Sequence, residues 1–229
     1  AGWKSEEMLD GLPGIMNLAA ASGEDLAGVS DIVTDAMSAF KLKASDAAMF
    51  SDVLAAAATN SNTNVGKLGY SFKYVAPIAG ALGYSIQDVS IALGTMADSG
   101  IKAEQAGTSM RELLNRMAKP TKESASAMEE LGLSFTDAEG KVIPLRDQLK
   151  NIRAAFAGKD TASQARLAAE LAGTEGMSGL LAIVNQSEDK FNKLTDAIDN
   201  SQGAAKKMAD TRLNNLSGDL EYLSGDWDT

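Results

Sequence analysis

The sequence predicts an all-α fold, a multi-helix bundle of helical hairpins with one short β-hairpin near residues 134–143. Three observations carry that expectation. Apolar residues recur at spacings of three and four along most of the 229 residues, the mark of amphipathic helices. Alanine, the best intrinsic helix former, occurs in runs such as 55–58, and the chain has only four prolines. One stretch breaks the pattern: Leu133, Ser134 and Phe135 on one side, Val142 and Ile143 on the other, flank the polar run 136–141. Gly140 there suits the positive backbone angle of a tight turn.

The elements follow in order. Ser5, Glu6 and Glu7 open a helix with acids where the helix dipole favours them. Gly11 and Pro13 are expected to interrupt it, leaving a second short helix with Ile15, Leu18 and Ala19. Acidic residues at 24 and 25 restart the pattern. Leu26, Val29, Val33, Ala36, Met37 and Phe40 then form one apolar face. The next helix begins at Ser45 and Asp46 and carries Met49, Phe50, Val53, Leu54 and Ala57. The polar run 59–64 reads as a connector. Val65, Leu68, Phe72, Val75 and Ile78 continue a face that Pro77 should bend or end, with Gly80 and Gly83 closing it. Ser85 opens a helix with Ile86, Val89, Leu93 and Met96, stopped by Gly100. Met110, Leu113, Leu114 and Met117 define another, stopped by Pro120. Thr121 starts a capped helix that ends at Gly132. Beyond Pro144 come helices at 145–156, 161–171 and 177–184, then one opened by Ser187 with Phe191, Leu194 and Ile198. A long, weakly apolar helix follows Gly203, with Leu213, Leu216, Leu220 and Leu223 spaced by three and four like a seam for another helix.

This divides the chain into residues 1–120, a helical-hairpin region; 121–200, a helical region with the β-hairpin; and 201–229, a projecting or partner-pairing C-terminal helix. An offset of 60 residues pairs Val29 with Val89, Val33 with Leu93, Ala36 with Met96, Phe50 with Met110, Val53 with Leu113 and Leu54 with Leu114. This fits two copies of a helical hairpin. Any two amphipathic helix pairs also align this way, so the repeat and the coincidence both stand at this point.

Composition narrows the chemistry. The 31 acidic and 21 basic residues give a net charge of −10, the wrong sign for a general nucleic-acid or anionic-membrane binder. No cysteine or histidine is present. Disulfides, the usual zinc, haem and iron–sulfur ligand sets, and His- or Cys-based triads are thereby excluded. Cofactors and metals are expected to be none, and so is a catalytic residue. The glycines at 173, 176 and 179 lack the preceding strand and the lysine of a phosphate loop and read as turn and packing glycines. Asp137 and Glu139 lack the spaced ligands of a calcium loop and read as a hairpin tip. A peptidoglycan-cleaving site would need a positioned Glu or Asp in a sugar cleft, but the acids mostly sit at helix starts or on polar faces. Apolar stretches at 75–84 and 179–184 fall short of the roughly 20 residues a spanning helix needs. The basic residues Lys102, Arg111, Arg116, Lys119 and Lys122, with Leu213, Leu216, Leu220 and Leu223, are the candidate partner contacts. For the basic stretch, a plain solvated face is the competing reading. The start without methionine and the Asp226, Trp227, Asp228, Thr229 ending suggest a piece of something longer.

Several strings in order carry a resemblance: Gly2 and Trp3, EMLDGLPG at 7–14, NLAAASGEDL at 17–26, FKYVAP at 72–77, AGALGYS at 79–85, SGIK at 99–102, AKPT at 118–121, EELG at 129–132 and GLLA at 179–182. Together, over residues 2–198, they resemble the core of phage tail tape-measure proteins. The resemblance implies a structural virion protein of the tail interior, made in the bacterial host cytoplasm. It implies a role in tail assembly and tail-length determination, and in genome delivery. The partners it implies are tail tube and tail assembly proteins and other copies of the chain. No specific nucleic-acid binding and no membrane span in this segment are expected. The alternatives are a helical protein-interaction module of another large bacterial protein and, third, a lysin module.

Overall fold

The structure is a computed structural model that describes residues 5–225. Among the described residues it contains eleven α-helices and one 3-10 turn at Ala44–Asp46. The helices are α1 (Ser5–Ser22), α2 (Leu26–Ala39), α3 (Ala47–Asn60), α4 (Val65–Ala81), α5 (Ile86–Asp98) and α6 (Ala103–Ala118). They continue with α7 (Lys122–Leu131), α8 (Leu145–Phe156), α9 (Thr161–Asn185), α10 (Glu188–Asp199) and α11 (Ala204–Gly225). The all-α class follows the periodicity from which it was expected.

Polar caps and glycines set the boundaries. Asp25, Asn64, Ser85, Thr121, Asp160 and Ser187 each accept a backbone N–H from the first turn of the helix they open. Gly132 closes α7 in the left-handed conformation, where a side chain would be strained.

Two expected interruptions are absent. Pro13 lies inside a continuous α1 and Pro77 inside a continuous α4. A proline removes one helix hydrogen bond, and the carbonyl it frees must find water. Leu9, four residues before Pro13, is 71% exposed, so its surroundings supply that water. Gly14 on the opposite side packs directly on the backbone of Ala47 and Ala48 and fixes α1 against α3.

The expected hairpin is reduced to a single antiparallel bridge between Thr136 and Val142. Ile143 N–H donates to the Phe135 carbonyl at 3.1 Å and Asp137 N–H to the Lys141 carbonyl at 2.8 Å, with Gly140 at φ 79°. Asp137 Oδ1 also accepts from the backbone of Glu139 and Lys141, so an aspartate-centred turn holds the loop where a longer ladder was expected.

α5 is the central rod. Ile86 and every residue from Asp88 to Ala97 are buried. Around it α1 packs on α3, α2 on α4, α4 on α6, α6 on α9, α7 on α9, and α10 on α3 and α5. α11 returns to α1 and α3. One apolar cluster runs from Ile15 through Phe50, Leu93, Leu149 and Leu180 to Ala205.

The stretch expected as two helices, 161–171 and 177–184, is one 25-residue element broken in conformation at Gly173, which has φ 69° and ψ 175°. α9 is long and apolar enough to cross a bilayer by length and composition, but 56% of its most apolar stretch is buried inside the bundle. Burial, with the break, is the behaviour of a core helix.

Candidate functional site

The glycines at 173, 176 and 179 are packing positions. The Arg116 guanidinium fills the space beside Gly173, Gly176 lies on Ala172 and the Ser109 carbonyl, and Gly179 faces Ser109 and Met96. Ser109 Oγ then donates to the Glu175 carbonyl at 2.6 Å, tying α6 to α9. The close approach of the two helices is what requires small residues there.

Charge inside the bundle is organised around Arg146 at the start of α8. Its Nε donates to Asp88 Oδ1 at 3.0 Å, and its two terminal nitrogens grip both oxygens of Asp199 at 2.7 and 2.8 Å. Asp88 Oδ2 also accepts the Arg146 backbone N–H. The two carboxylates raise the Arg146 pKa above its ordinary value, the hydrogen bond to Asp199 contributing most. A cleft of about 700 Å³ opens beside this cluster, lined among others by Met49, Asp52, Gln87 and Gln202. Its charged groups are already matched. Asp52 accepts the backbone N–H groups of Gly203 and Ala205 and so caps α11. Asp88 is the one carboxylate residue counted as buried among the described residues, and it is held by Arg146. A second cleft, of about 640 Å³ between the ends of α1, α3, α10 and the start of α11, is lined chiefly by alanines, amides and hydroxyls. Among the described residues no group of three acidic, His or Cys side chains has the spacing to hold a metal ion.

The sequence-derived contact residues fall in two places. Lys102 precedes α6, Arg111 lies over the Tyr74 ring at 5.9 Å, and Arg116 pairs with Glu112 at 2.7 Å. Lys119 and Lys122 are exposed at the α6–α7 turn. On α11, Leu213 is 51% and Leu220 59% exposed. The side chains of Leu216 and Leu223 lie outside the described residues.

Sequence reasoning missed a group of four exposed large apolar side chains among the described residues. Met8, Leu9, Leu12 and Met16 all lie on the open side of α1. Their spacing of one, three and four is helical. They were readable as one helix face only once α1 ran unbroken through Pro13.

The fold and these surfaces define a class: a helical bundle whose buried carboxylate is paired with an arginine and whose exposed apolar residues include a helical stripe on α1. The chain belongs to the phage-related minor tail protein family, whose pattern matches residues 1–173. It is 41% identical over 225 residues to the tape measure protein of Pneumococcus phage Dp-1, which covers 98% of this chain and 20% of that protein. It is 28% identical over 212 residues to the probable tape measure protein of Escherichia phage P2, covering 91% of this chain and 26% of that one. The chain thus spans about a fifth to a quarter of the length of the curated relatives it matches. No solved structure matches it.

Proposed function

We propose that this segment is a prefolded module of a phage tail tape measure that acts in tail assembly through protein contacts. The observation that carries the reading is the single apolar cluster linking residues from Ile15 to Ala205. Stretched as one helix, 229 residues would span about 340 Å at 1.5 Å per residue. A compact chain of that length has a radius of gyration of about 17 Å. Drawing it out would expose the whole core to water, so the segment enters assembly folded, and the length-setting ruler is another part of the protein.

In this reading the module works in the virion tail with tail tube and assembly proteins. The exposed Lys119 and Lys122, and the α11 seam of Leu213, Leu216, Leu220 and Leu223, serve as contacts. Residues 201–229 serve as the partner-pairing element of a division into 1–120, 121–200 and 201–229. It is not an enzyme. The pairing of Asp88 and Asp199 with Arg146 supports this, since neither carboxylate is left to act as acid or base.

The test is interference. The 229-residue chain is expressed in excess during infection, and intact tails are counted by electron microscopy. A folded competitor for assembly contacts lowers their number, and an unchanged count overturns the reading. A cell-wall zymogram of the same chain shows no clearing, whereas a cleared band would establish the lysin alternative.

A further inference from the structure

We propose that the open face of α1 is the docking site for an amphipathic helix of the tape-measure polypeptide, supplied by a preceding copy of the three-helix unit that this chain contains twice. The two copies are α1–α2–α3 and α4–α5–α6. At an offset of 60 residues α1 starts opposite Val65, the first residue of α4, and Leu26 opposite Ile86, each the first residue of its helix. Gly23 and Gly83 both carry positive φ, 71° and 76°, and Asp25 and Ser85 both cap the helix that follows. The first helix crosses the third at one place in both units. Gly14 meets Ala47 and Ala48 in the first, while Gly107, opposite Ala47, meets Ser71 and Tyr74, opposite Gly11 and Gly14, in the second. The six apolar pairs at this offset, from Val29 and Val89 to Leu54 and Leu114, are all buried.

The units differ on one face. In the second, α2 of the first unit covers α4: Ile32 packs on Gly69, Phe40 meets Phe72 edge-on at 6.1 Å, Ala39 lies on Gly80, and Glu24 accepts the Gly66 N–H at 2.9 Å. Leu68, Gly69, Phe72 and Ala76 are buried there. Their counterparts in α1 are Met8, Leu9, Leu12 and Met16, which are 52%, 71%, 41% and 52% exposed. The face has kept its apolar side chains, and among the described residues neither α3 nor α11, which pack on α1, covers them. Four large apolar groups in one helical stripe mark a contact surface.

Charge and shape specify the occupant. Where α2 lies on α4, Asp25, Asp31 and Asp35 line one cleft with Lys73 of α4. On α1 the flanks are the exposed Glu6 and Asp10, and the helix has no basic residue. The docking helix therefore carries Lys or Arg where α2 carries acids. Leu9 stands where α4 has Gly69, so the helix also places a small residue where α2 has Ile32. Two α1 faces of separate copies would oppose like charges. At the other end of the array α5 is covered by α8, α9 and α10, so copies cannot stack head to tail through it. The relatives, of which the matched stretch is 20% and 26%, have room for a further unit.

The test compares amide hydrogen exchange in the 229-residue chain and in a whole tape-measure polypeptide containing it. α4 exchanges slowly in both and serves as the internal reference for folding. Exchange over residues 8–16 is expected to slow at least tenfold in the whole polypeptide and to return to the faster rate in the doubly substituted Leu9→Asp, Met16→Asp variant. No slowing, or slowing that survives the double substitution, overturns the proposal. So does a concentration-dependent dimer of the 229-residue chain that Leu12→Asp dissolves, since the occupant would then be a second copy.

Discussion

Tyr84 donates its hydroxyl to Gln148 Oε1 at 3.0 Å in the interior, and Gln148 Nε2 donates to the carbonyls of Ile143 at 2.9 Å and Phe135 at 3.3 Å. Two hydrogen bonds donated by one buried amide therefore hold both sides of the 136–142 bridge to α8, and the one it accepts ties it to Tyr84. Burial pushes the Tyr84 pKa up from 10.0 to about 12. The unfolded chain loses this proton more readily than the folded one. The Tyr84 contribution is thus whole below about pH 10 and is lost as pH rises toward about 12. Tyr84→Phe is expected to cost about 1 kcal/mol at pH 7 and to flatten the alkaline loss, read as the denaturant midpoint against pH. Gln148→Ala is expected to cost about 2–3 kcal/mol and to open the loop near Glu139–Lys141 to proteolysis, the first cleavage falling there. Arg146→Ala leaves Asp88 buried without its charge partner, at a cost of about 2–3 kcal/mol and a drop of about 5–10 °C in melting temperature. None of these bonds was legible in the sequence. Tyr84 and Gln148 are 64 residues apart, and Arg146 is 58 from Asp88 and 53 from Asp199, so pairing depends on which helix faces meet.

At the scale of elements, the long amphipathic helices were legible because a single face decides their burial. Met110, Leu113, Leu114 and Met117 on α6 are all buried, as their period implies. Helix ends were legible where Asp25, Ser85, Thr121 or Gly132 supplied a cap. The breaks at Pro13 and Pro77 were not real, because a local proline penalty of about 3 kcal/mol yields to the burial of an entire helix face. The hairpin was over-read: Leu133 and Phe135 pack on the core, but one aspartate-centred turn satisfies the backbone that a ladder would have served. Crossing points were invisible too, since a glycine's neighbour is set by topology. Gly107 is where α6 lies on the Ser71 carbonyl of α4, and a methyl group there forces the helices apart. Gly107→Ala is expected to cost about 1–3 kcal/mol in a urea melt. An unchanged midpoint would mean that the crossing is looser than the geometry states.

For the whole molecule, the central claim is that the segment remains a folded body within a tail machine. Its helices run from 10 to 25 residues, the longest broken at Gly173, and they share one core. The family was legible from ordered strings because such strings fall at turns and crossings: the Pro13–Gly14 pair lies at the α1–α3 contact, and the 79–85 string spans the α4–α5 turn. The uncovered α1 face was not legible, because a helix stripe reads the same whether or not another helix lies on it. The most direct test is an in-frame deletion of residues 5–225 in a phage that encodes the chain, with tail lengths measured by electron microscopy. The folded-module account predicts failed assembly, or tails shortened by far less than 1.5 Å per deleted residue. Viable tails shorter by about 330 Å, the full helical rise of the deleted stretch, would contradict it and show the segment drawn out along the tube.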